Sequence, residues 1–541
     1  MSSQLTHAQL IQRAAAAFQR GAWSEAAALC EQVTSQFGED ANACMMLGAI
    51  RVESGDTVGG IAYLERARAL MPGHVYVLVN LGVAYSTVGR LQEARDVLQA
   101  AIRIDRHLAV AHNNLGNVLL ELDDRATAGK EYERALVAQP NYPEAIAGLA
   151  RIAEVEHRLD DARRLSERAL ALAPQNIPAF LTRTRVALRD GETATAAGAL
   201  EDLLRNGAPT ATNRVIAEGY LAEAYDKLGR IDDAFAAFAR ANEIQYARHV
   251  QAFANDRGPM APETVRRLAG FVAATDISTW REAPPRSRPD PVFLIGFPRS
   301  GTTLLDQILA SHPRVTTLEE RDSLVDASRE LIRADEGFER WAQLPDADIE
   351  RLRSLYWQQV AAGLSGAPLK DVFVDKLPLN AIYLPLIHRL FPTAKIILAI
   401  RDPRDVVLSC FQQRFGMNAA MFQLLRLDSA VVYYDAVMTL VATCRAKLPL
   451  NLHVFKYESL IDDFDSEVKP LLEFLGLDWN DSVREFAATA KARTVNTPSA
   501  AQVVQPIYRS AQGKWQKYRR HLQPHLPMLE IWVQAFGYPP S

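Results

Sequence analysis

Cysteine is scarce in this sequence, and no uninterrupted apolar run is long enough to cross a membrane. The four cysteines, at positions 30, 44, 410 and 444, show no C-x2-C or other metal-ligand spacing. They favour a reduced, cytoplasmic chain over a disulfide-linked exported one. No run of about 18 apolar residues occurs, and the amino terminus lacks a basic segment followed by an apolar core. We therefore expect neither a membrane span nor a standard signal peptide.

An excess of charge of one sign is also lacking. The 60 lysines and arginines nearly balance the 64 aspartates and glutamates, giving a formal net charge of −4 over 541 residues. This balance argues against nucleic acid or a membrane surface as the main partner. Any site that binds an anion must therefore be local.

The first half of the chain does contain a repeat. The pairs Leu47-Gly48, Leu81-Gly82, Leu115-Gly116 and Leu149-Ala150 follow one another at intervals of 34 residues. Alanines and prolines keep the same register at later offsets: Ala94, Ala128 and Ala162; Ala67, Ala101, Ala135 and Ala169; and Pro72, Pro140 and Pro174. Small residues at such positions let two antiparallel helices approach closely, and proline ends the second helix.

This pattern resembles the tetratricopeptide repeat, a helix–turn–helix unit. We predict a helical array over residues 1–248 with about seven helical hairpins, of which the stretch 177–214 is irregular. Such arrays stack into a superhelix whose concave face binds peptides, so a peptide or protein partner is expected there. The matching alanines, leucines and glycines are packing residues and are not predicted to be functional.

Residues 249–289 differ in composition from the repeat array and end in the proline-rich stretch "REAPPRSRPDP". This composition predicts a helical, proline-rich linker. From residue 290 to 541, the apolar runs "VFLIGF", "KIILAI" and "NLHVFKY" alternate with helix-like stretches. This alternation predicts buried parallel strands with crossover helices, an α/β domain with a central parallel sheet. In such sheets ligands bind beyond the carboxyl ends of the strands, so the residues after each run are candidates.

The first run leads into "GFPRSGTT", which predicts a phosphate loop between a strand and a helix. Gly296-x4-Gly301-Thr302-Thr303 nearly fits the nucleoside-triphosphate loop, but Thr302 stands in the place of its lysine. Backbone amides at the helix start, the charge of Arg299 and the two threonine hydroxyls suit an anion. Without the lysine, phosphoryl transfer from ATP is disfavoured, although a nucleotide kinase remains an alternative for the loop alone.

The second run leads into "AIRDPRDVVLSCF". Arg401 follows the strand directly, and Ser409 lies eight residues further on, two turns along a helix that starts near Pro403. Together these two side chains can hold a second phosphate of the same nucleotide. Asp402 is a candidate helix cap, and Arg404 with Asp405 is expected to form a solvated charge pair.

At this point a family resemblance is visible. The segments "FPRSGTTLL", "VDKLPLN", "LFPTAKIILAIRDPRDVVLSCF" and "HVFKYESL" resemble the sulfotransferases that use 3′-phosphoadenosine 5′-phosphosulfate. Within them, "HPRVTTLEERD" and "TPSAAQVVQPIYRSAQGKW" are most similar to the tyrosylprotein sulfotransferases. A tetratricopeptide-repeat array fused ahead of such a domain resembles a bacterial-type architecture.

The resemblance implies a donor site without a metal, and adenosine 3′,5′-bisphosphate as the product. It assigns the 5′-phosphosulfate to Arg299, Ser300, Gly301, Thr302 and Thr303, the 3′-phosphate to Arg401 and Ser409, a place near the nucleotide to Tyr457, and a phosphate contact to Lys514. Sulfuryl transfer needs no metal-bridged γ-phosphate, which accounts for the missing loop lysine.

The resemblance also implies catalytic roles. Glu320 would be the base for the acceptor hydroxyl, with Glu319 as its competitor. Lys376 and Ser499, together with Arg299, would stabilise the charge that develops as the sulfur–oxygen bond breaks. The alternative for Lys376 is an ion pair with Asp375 or another carboxylate.

The acceptor is not specified. The animal tyrosine enzymes have Thr-Arg after the double Glu, whereas Arg321-Asp322 follow here. A protein tyrosine, a glycan, a lipid headgroup and a small metabolite all stay open as acceptors. A scaffold with a degenerate nucleotide-binding domain is the alternative from another class of protein. The oligomeric state is also open, with a homodimer among the options.

Overall fold

The computed structural model divides into two compact units, Met1–Ala199 and Leu200–Ser541, and each is described here by itself. The structure describes residues 5–122, 124–207, 210–280, 283–284, 288–332, 338–364, 366–487 and 512–541, without the side chain of residue 339. The division falls inside a helix of the predicted array. The last helical hairpin of the array therefore belongs to the compact unit that carries the α/β domain.

The first unit is built from helices of similar length that pack in consecutive pairs, α1 with α2 through α9 with α10. Their bounds are α1 His7–Gln19, α2 Trp23–Phe37, α3 Ala41–Glu53, α4 Thr57–Leu70, α5 Val75–Thr87, α6 Leu91–Ile104, α7 Ala109–Glu121, α8 Arg125–Ala138, α9 Pro143–Val155, α10 Leu159–Leu172, α11 Ile177–Arg189 and α12 Thr193–Asn206, the last crossing the unit boundary. The predicted helical solenoid is confirmed.

The repeated small residues act as the sequence predicts. A Cβ added at Gly82 would lie 2.5 Å from Leu98 Cγ, and one at Gly116 would lie 2.6 Å from Tyr132 Cε1. Either clash would force paired helices apart, because packed interiors have no room for an extra methyl group. The alanines of the repeat are likewise buried: Ala67, Ala94, Ala101, Ala128, Ala135, Ala162 and Ala169.

The second unit contains the last hairpin, α13 Ala211–Lys227 and α14 Ile231–Phe253, and then α15 Pro262–Ala274. Its strands are β1 Val292–Gly296, β2 Val315–Glu319, β3 Val372–Lys376, β4 Lys395–Ile400 and β5 Asn451–Lys456. Its other helices are α16 Thr302–Ser311, α17 Val325–Leu331, α18 Asp346–Leu364, α19 Leu384–Leu390, α20 Pro403–Phe411, α21 Ala419–Gln423, α22 Leu427–Lys447, α23 Tyr457–Asp462 and α24 Phe464–Leu475, followed by Arg519–Leu522 and Leu526–Ala535.

The strands form one parallel sheet in the order β2-β3-β1-β4-β5. The predicted strands β1, β4 and β5 are confirmed, whereas β2 and β3 were not predicted. Strand β1 lies between β3 and β4, so the chain order reverses around it. Such a switch point opens a crevice at the carboxyl ends of the strands, where ligands bind in open parallel sheets.

Helix α22 is the one described helix that is long and apolar enough in composition to cross a membrane. In this structure, 61% of its most apolar window is buried inside the protein. It packs on α15 and α20, and the hydroxyl of its Tyr433 donates to the carbonyl of Met260 at 2.8 Å. Helix α22 is therefore a core helix of the second unit.

Candidate active site

The loop after β1 is held in an unusual backbone conformation. Arg299 has a φ of 72° and Gly301 a φ of 92°, and helix α16 begins directly after them at Thr302. A Cβ at Gly301 would lie 2.6 Å from Cδ2 of Tyr457, so only glycine fits between the loop and this ring. The first amides of α16 lack partners within the helix and point out of its amino end. The loop therefore has the shape of an anion cradle, as its sequence predicts.

Two arginines and a serine from different strand ends meet at this loop. The Nε of Arg299 donates to Ser409 Oγ at 3.0 Å, and Nη1 of Arg401 donates to the carbonyl oxygen of Arg299 at 3.2 Å. The Arg401 guanidinium also lies over the ring of Tyr457, 4.8 Å from its centroid. Arg401 is only 6% exposed. The structure thus brings four of the predicted donor-binding residues into one cluster, and two positive charges suit a doubly phosphorylated ligand.

Helix α20 explains why Arg401 and Ser409 converge. Asp402 caps the helix by accepting from the amide of Arg404, as predicted, and Ser409 follows two turns later. The expected solvated pair of Arg404 with Asp405 is wrong. Arg404 is buried, pairs with Asp402 at 2.7 Å and lies over the ring of Trp515 at 4.1 Å, because a distant segment covers this end of the helix.

A lysine and two glutamates form a second cluster at the neighbouring strand ends. The Nζ of Lys376 donates to Glu320 Oε1 at 3.0 Å and to Glu319 Oε1 at 3.2 Å. Strand pairing sets Glu319 opposite Lys376 across β2 and β3. The Lys376 side chain is fully buried, whereas that of Glu320 is 33% exposed and that of Glu319 only 16% exposed. Glu320 is therefore the carboxylate more open to a second substrate.

The charge of Lys376 is secured by its neighbours. Burial disfavours the charged ammonium, but the carboxylates of Glu320, Glu319 and Asp306 outweigh it and raise the pKa of Lys376. The lysine is therefore positively charged at neutral pH beside the two carboxylates.

Glu320 itself is held in a strained conformation. Its φ is 46°, a region that non-glycine residues rarely occupy, and its amide donates to the Lys376 carbonyl at 2.7 Å. Such a conformation costs about 1–3 kcal/mol and persists only where surrounding contacts impose it. Arg299 and Glu320 are two of the three described non-glycine residues with positive φ, and both lie at this edge of the sheet.

Comparison with known proteins identifies the domain that carries these clusters. Residues 291–481 match the model described as "Sulfotransferase family", and residues 51–116 and 113–177 match tetratricopeptide-repeat models. This chain carries a sulfotransferase domain behind a tetratricopeptide-repeat array.

Relatives agree with that assignment. Protein-tyrosine sulfotransferase 1 of Danio rerio is 27% identical over 268 residues, which cover 46% of this chain and 72% of the fish protein. An uncharacterized protein of Aquifex aeolicus is 31% identical over 350 residues, or 61% of this chain, and the match spans 43% of that longer protein. A solved tetratricopeptide repeat protein from Parabacteroides merdae aligns with 44% of this chain and 93% of its own, at 16% identity and a TM-score of 0.35.

Two further residues, Ser499 and Lys514, were assigned to the site from the sequence. Ser499 lies outside the described residues. Lys514 lies at the carboxyl end of helix α20. Its Nζ donates to Gln412 Oε1 at 2.9 Å and pairs with Asp226 Oδ2 at 2.9 Å.

The sulfotransferase domain also contains a buried carboxyl that sequence reasoning did not select. Asp375 lies beside Lys376 on β3, but successive strand residues point to opposite faces, so it turns away from the ammonium. It accepts from Tyr356 Oη at 3.0 Å instead. Burial raises the pKa of Asp375 to about 7, against the effect of the Tyr356 and Ser323 hydroxyls. Of the carboxylates that the alternative for Lys376 allowed, Asp375 is therefore not the partner; Lys376 pairs with Glu319 and Glu320.

No group of three or more histidine, cysteine, aspartate or glutamate side chains that could hold a metal ion occurs in the part of the chain that the structure describes. The four cysteines are buried and free.

Proposed function

We propose that this protein transfers a sulfuryl group from 3′-phosphoadenosine 5′-phosphosulfate to an acceptor hydroxyl. The observation that carries the proposal is the ion pair of Lys376 with Glu320 at the end of β3. Strand β3 pairs with β1, and β1 leads into the cluster of Arg299, Ser409 and Arg401. A site that binds phosphates but performs no chemistry would have no need of a buried lysine bound by two carboxylates. Burying such charges costs several kcal/mol unless they are well paired.

The donor fits the residues that are present. Arg299 and the amides of the loop from Ser300 to Thr303 would hold its 5′ end, and Arg401 with Ser409 would hold its 3′-phosphate. The tight fit of Gly301 against Tyr457 keeps the loop backbone where a phosphate can reach its amides. When bound, the donor would supply an activated sulfuryl group joined to its 5′-phosphate through a bridging oxygen, which leaves with the phosphate.

The residues around the acceptor have separate roles in this proposal. Glu320 accepts the proton of the attacking hydroxyl, and its exposed position leaves room for that hydroxyl. Lys376 and Arg299 face the negative charge that grows on the leaving oxygen, and a preformed cation stabilises it without reorganisation. Ser499 is assigned to the same charge by its motif alone. The products are a sulfate ester and adenosine 3′,5′-bisphosphate.

A protein tyrosine is the acceptor we favour. The named relatives are protein-tyrosine sulfotransferases, and a repeat array of the kind found here commonly binds peptides. The array would then recruit the acceptor protein or a partner of it. Residues Arg321-Asp322 depart from the tyrosine-enzyme pattern, so a glycan, a lipid headgroup or a metabolite is the second candidate. We place the reaction in the cytoplasm, consistent with four free cysteines.

Two experiments test the proposal. Isothermal titration calorimetry in EDTA should show tight binding of adenosine 3′,5′-bisphosphate, whereas a kinase would instead bind ATP with Mg²⁺. Incubation with 35S-labelled donor and a lysate of the source cell should then move label into an acceptor. Label in the protein fraction supports a tyrosine acceptor, and label in small molecules or lipids redirects the search. No transfer to any fraction overturns the proposal.

A further inference from the structure

The last hairpin of the repeat array, α13 with α14, packs on the helix that carries Ser409. Phe235 stacks on Phe411 with ring centroids 5.1 Å apart, and on His521 at 4.0 Å. The side-chain amide of Asn242 donates to the carbonyl of Phe411 at 2.9 Å. Phe411 is the last residue of α20, two residues after Ser409. The hairpin therefore fixes the carboxyl end of a helix that serves the donor site.

Asp226, the last residue but one of α13, contacts two residues of the carboxyl-terminal segment. Its Oδ2 lies 2.9 Å from Nζ of Lys514, and its Oδ1 accepts from Tyr518 Oη at 2.6 Å. An ammonium has three donors, of which Asp226 and Gln412 occupy two. Two of the three are thus set by the protein, which leaves one for a ligand.

The backbone around Lys514 is fixed as well. The carboxylate of Asp405 on α20 accepts from the amide of Gly513 at 2.7 Å and from that of Trp515 at 2.8 Å. Gln412 lies three residues after Ser409, and residues at that spacing are neighbours on a helix face, about 5–6 Å apart between Cβ atoms. The ammonium of Lys514 therefore binds a residue that lies one helical turn from Ser409, the residue assigned to the 3′-phosphate.

We infer that Asp226 is a positioning residue that holds Lys514 for the 3′-phosphate of the donor, so that the last repeat hairpin is part of the donor site. The inference rests on the proposed function for the identity of the nucleotide. Its evidence is the three-way contact of Asp226, Lys514 and Gln412, in which a carboxylate of the array orients a cation of the sulfotransferase domain.

The direction in which one substitution changes phosphate affinity distinguishes a positioning role of Asp226 from a purely electrostatic effect of its charge. Asp226 is an anion near a phosphate site, so removing its charge would by itself strengthen binding of a phosphate. If Asp226 instead orients Lys514, Asp226→Asn weakens binding because the ammonium loses its fixed direction. A loss of about three- to fivefold is expected, in line with the value of partly exposed ion pairs.

The experiment uses the full chain and calorimetry with two nucleotides. Asp226→Asn should weaken the binding of adenosine 3′,5′-bisphosphate by this factor. It should not weaken the binding of adenosine 5′-monophosphate, which lacks the 3′-phosphate. Asp232→Asn is the matched control, because Asp232 lies on the same hairpin and pairs with His521 at 2.7 Å without contacting Lys514. It should leave both affinities within twofold.

A second comparison uses Lys514→Met. In that background, Asp226→Asn should have no further effect on bisphosphate affinity, since its effect acts through the lysine. If Asp226→Asn fails to fold, Asp226→Glu takes its place and should again change bisphosphate affinity more than monophosphate affinity.

Three results overturn the inference. They are an unchanged or stronger bisphosphate affinity in the Asp226 variant, an equal loss for both nucleotides, and a full Asp226 effect without Lys514. If the wild-type protein binds neither nucleotide, the proposed function fails and the inference fails with it. If the wild type binds bisphosphate normally and the Asp226 variant matches it, only the inference fails.

Discussion

Substituting the two glutamates around Lys376 one at a time tests which of them is the base. Both contribute one oxygen to the same ammonium, at 3.0 Å from Glu320 and 3.2 Å from Glu319, so each is a control for the other. Glu320→Gln should abolish most transfer, whereas Glu319→Gln should leave most of it. The two substitutions remove the same charge and preserve the same shape.

The structure sets the magnitudes. Loss of a positioned general base costs about 10²–10⁴ in rate, so Glu320→Gln should lower kcat by that factor. Glu319→Gln should lower it less than about tenfold. In either variant Lys376 keeps one carboxylate, so we expect a loss of about 1 kcal/mol in the free energy of unfolding, since Glu320 is partly solvated and one hydrogen bond is weakened.

The assay is steady-state transfer from labelled donor, alongside calorimetry with adenosine 3′,5′-bisphosphate and urea unfolding. Bisphosphate affinity should stay within twofold in both variants, because neither carboxylate belongs to the phosphate cluster. Equal losses of kcat would refute the assignment of Glu320 as base. A larger loss for Glu319→Gln would transfer the role to Glu319.

Three further predictions follow from the site. Arg401→Ala should weaken binding of adenosine 3′,5′-bisphosphate at least tenfold, and that of adenosine 5′-monophosphate much less, in the same calorimetric assay; equal losses would contradict the 3′-phosphate assignment. Gly301→Ala should cost about 1–3 kcal/mol in unfolding free energy and also weaken bisphosphate binding, because its Cβ meets Tyr457 at 2.6 Å and its φ is 92°; an unchanged melting temperature and affinity would show that the loop has room. Burial raises the pKa of Asp375 to about 7, above its unfolded value of 3.8, so this group stabilises the fold below about pH 4 and that contribution is lost as the pH rises through 7. Asp375→Asn should therefore be more stable than wild type at pH 8, by up to roughly 4 kcal/mol at 1.36 kcal/mol per pKa unit, with the advantage shrinking toward pH 4 in urea titrations; a variant less stable than wild type at pH 8 would mean that folding does not raise the pKa of Asp375.

The fold was predictable where one physical signal dominated. Strands β1 and β4 are nearly continuous apolar runs, because both faces of a central parallel strand are covered. Strand β5 is an edge strand, and its apolar residues Leu452, Val454 and Phe455 were enough to predict it. The repeat register was equally clear, since a residue such as Gly116 has no alternative to being small beside Tyr132. In both cases the local sequence carries the whole constraint.

Strands β2 and β3 were missed for the opposite reason. Their sequences, "VTTLE" and "VFVDK", are five residues long and end in charged side chains. The charged residues at the carboxyl ends of these strands belong to the candidate site. They interrupt the apolar pattern by which a buried strand is recognised in a sequence. A close match to a known motif was the only sequence signal that pointed to Glu320 and Lys376.

The ion-pair partners of Arg404 and Lys514 were also not predicted. The local sequence places Arg404 beside Asp405, yet Arg404 pairs with Asp402 and is covered by Trp515, more than a hundred residues away in the chain. Similarly, nothing local indicates that Lys514 meets Asp226. Long-range packing decides both contacts, and a single sequence does not display it.

The most direct test of sulfuryl transfer is a single-turnover reaction of the wild-type protein in EDTA with 35S-labelled 3′-phosphoadenosine 5′-phosphosulfate and a tyrosine-containing protein acceptor. The account predicts labelled sulfate ester and adenosine 3′,5′-bisphosphate in equal amounts, without added metal. Bisphosphate binding with no ester formed on any acceptor, or product formation only from ATP with Mg²⁺, would contradict it.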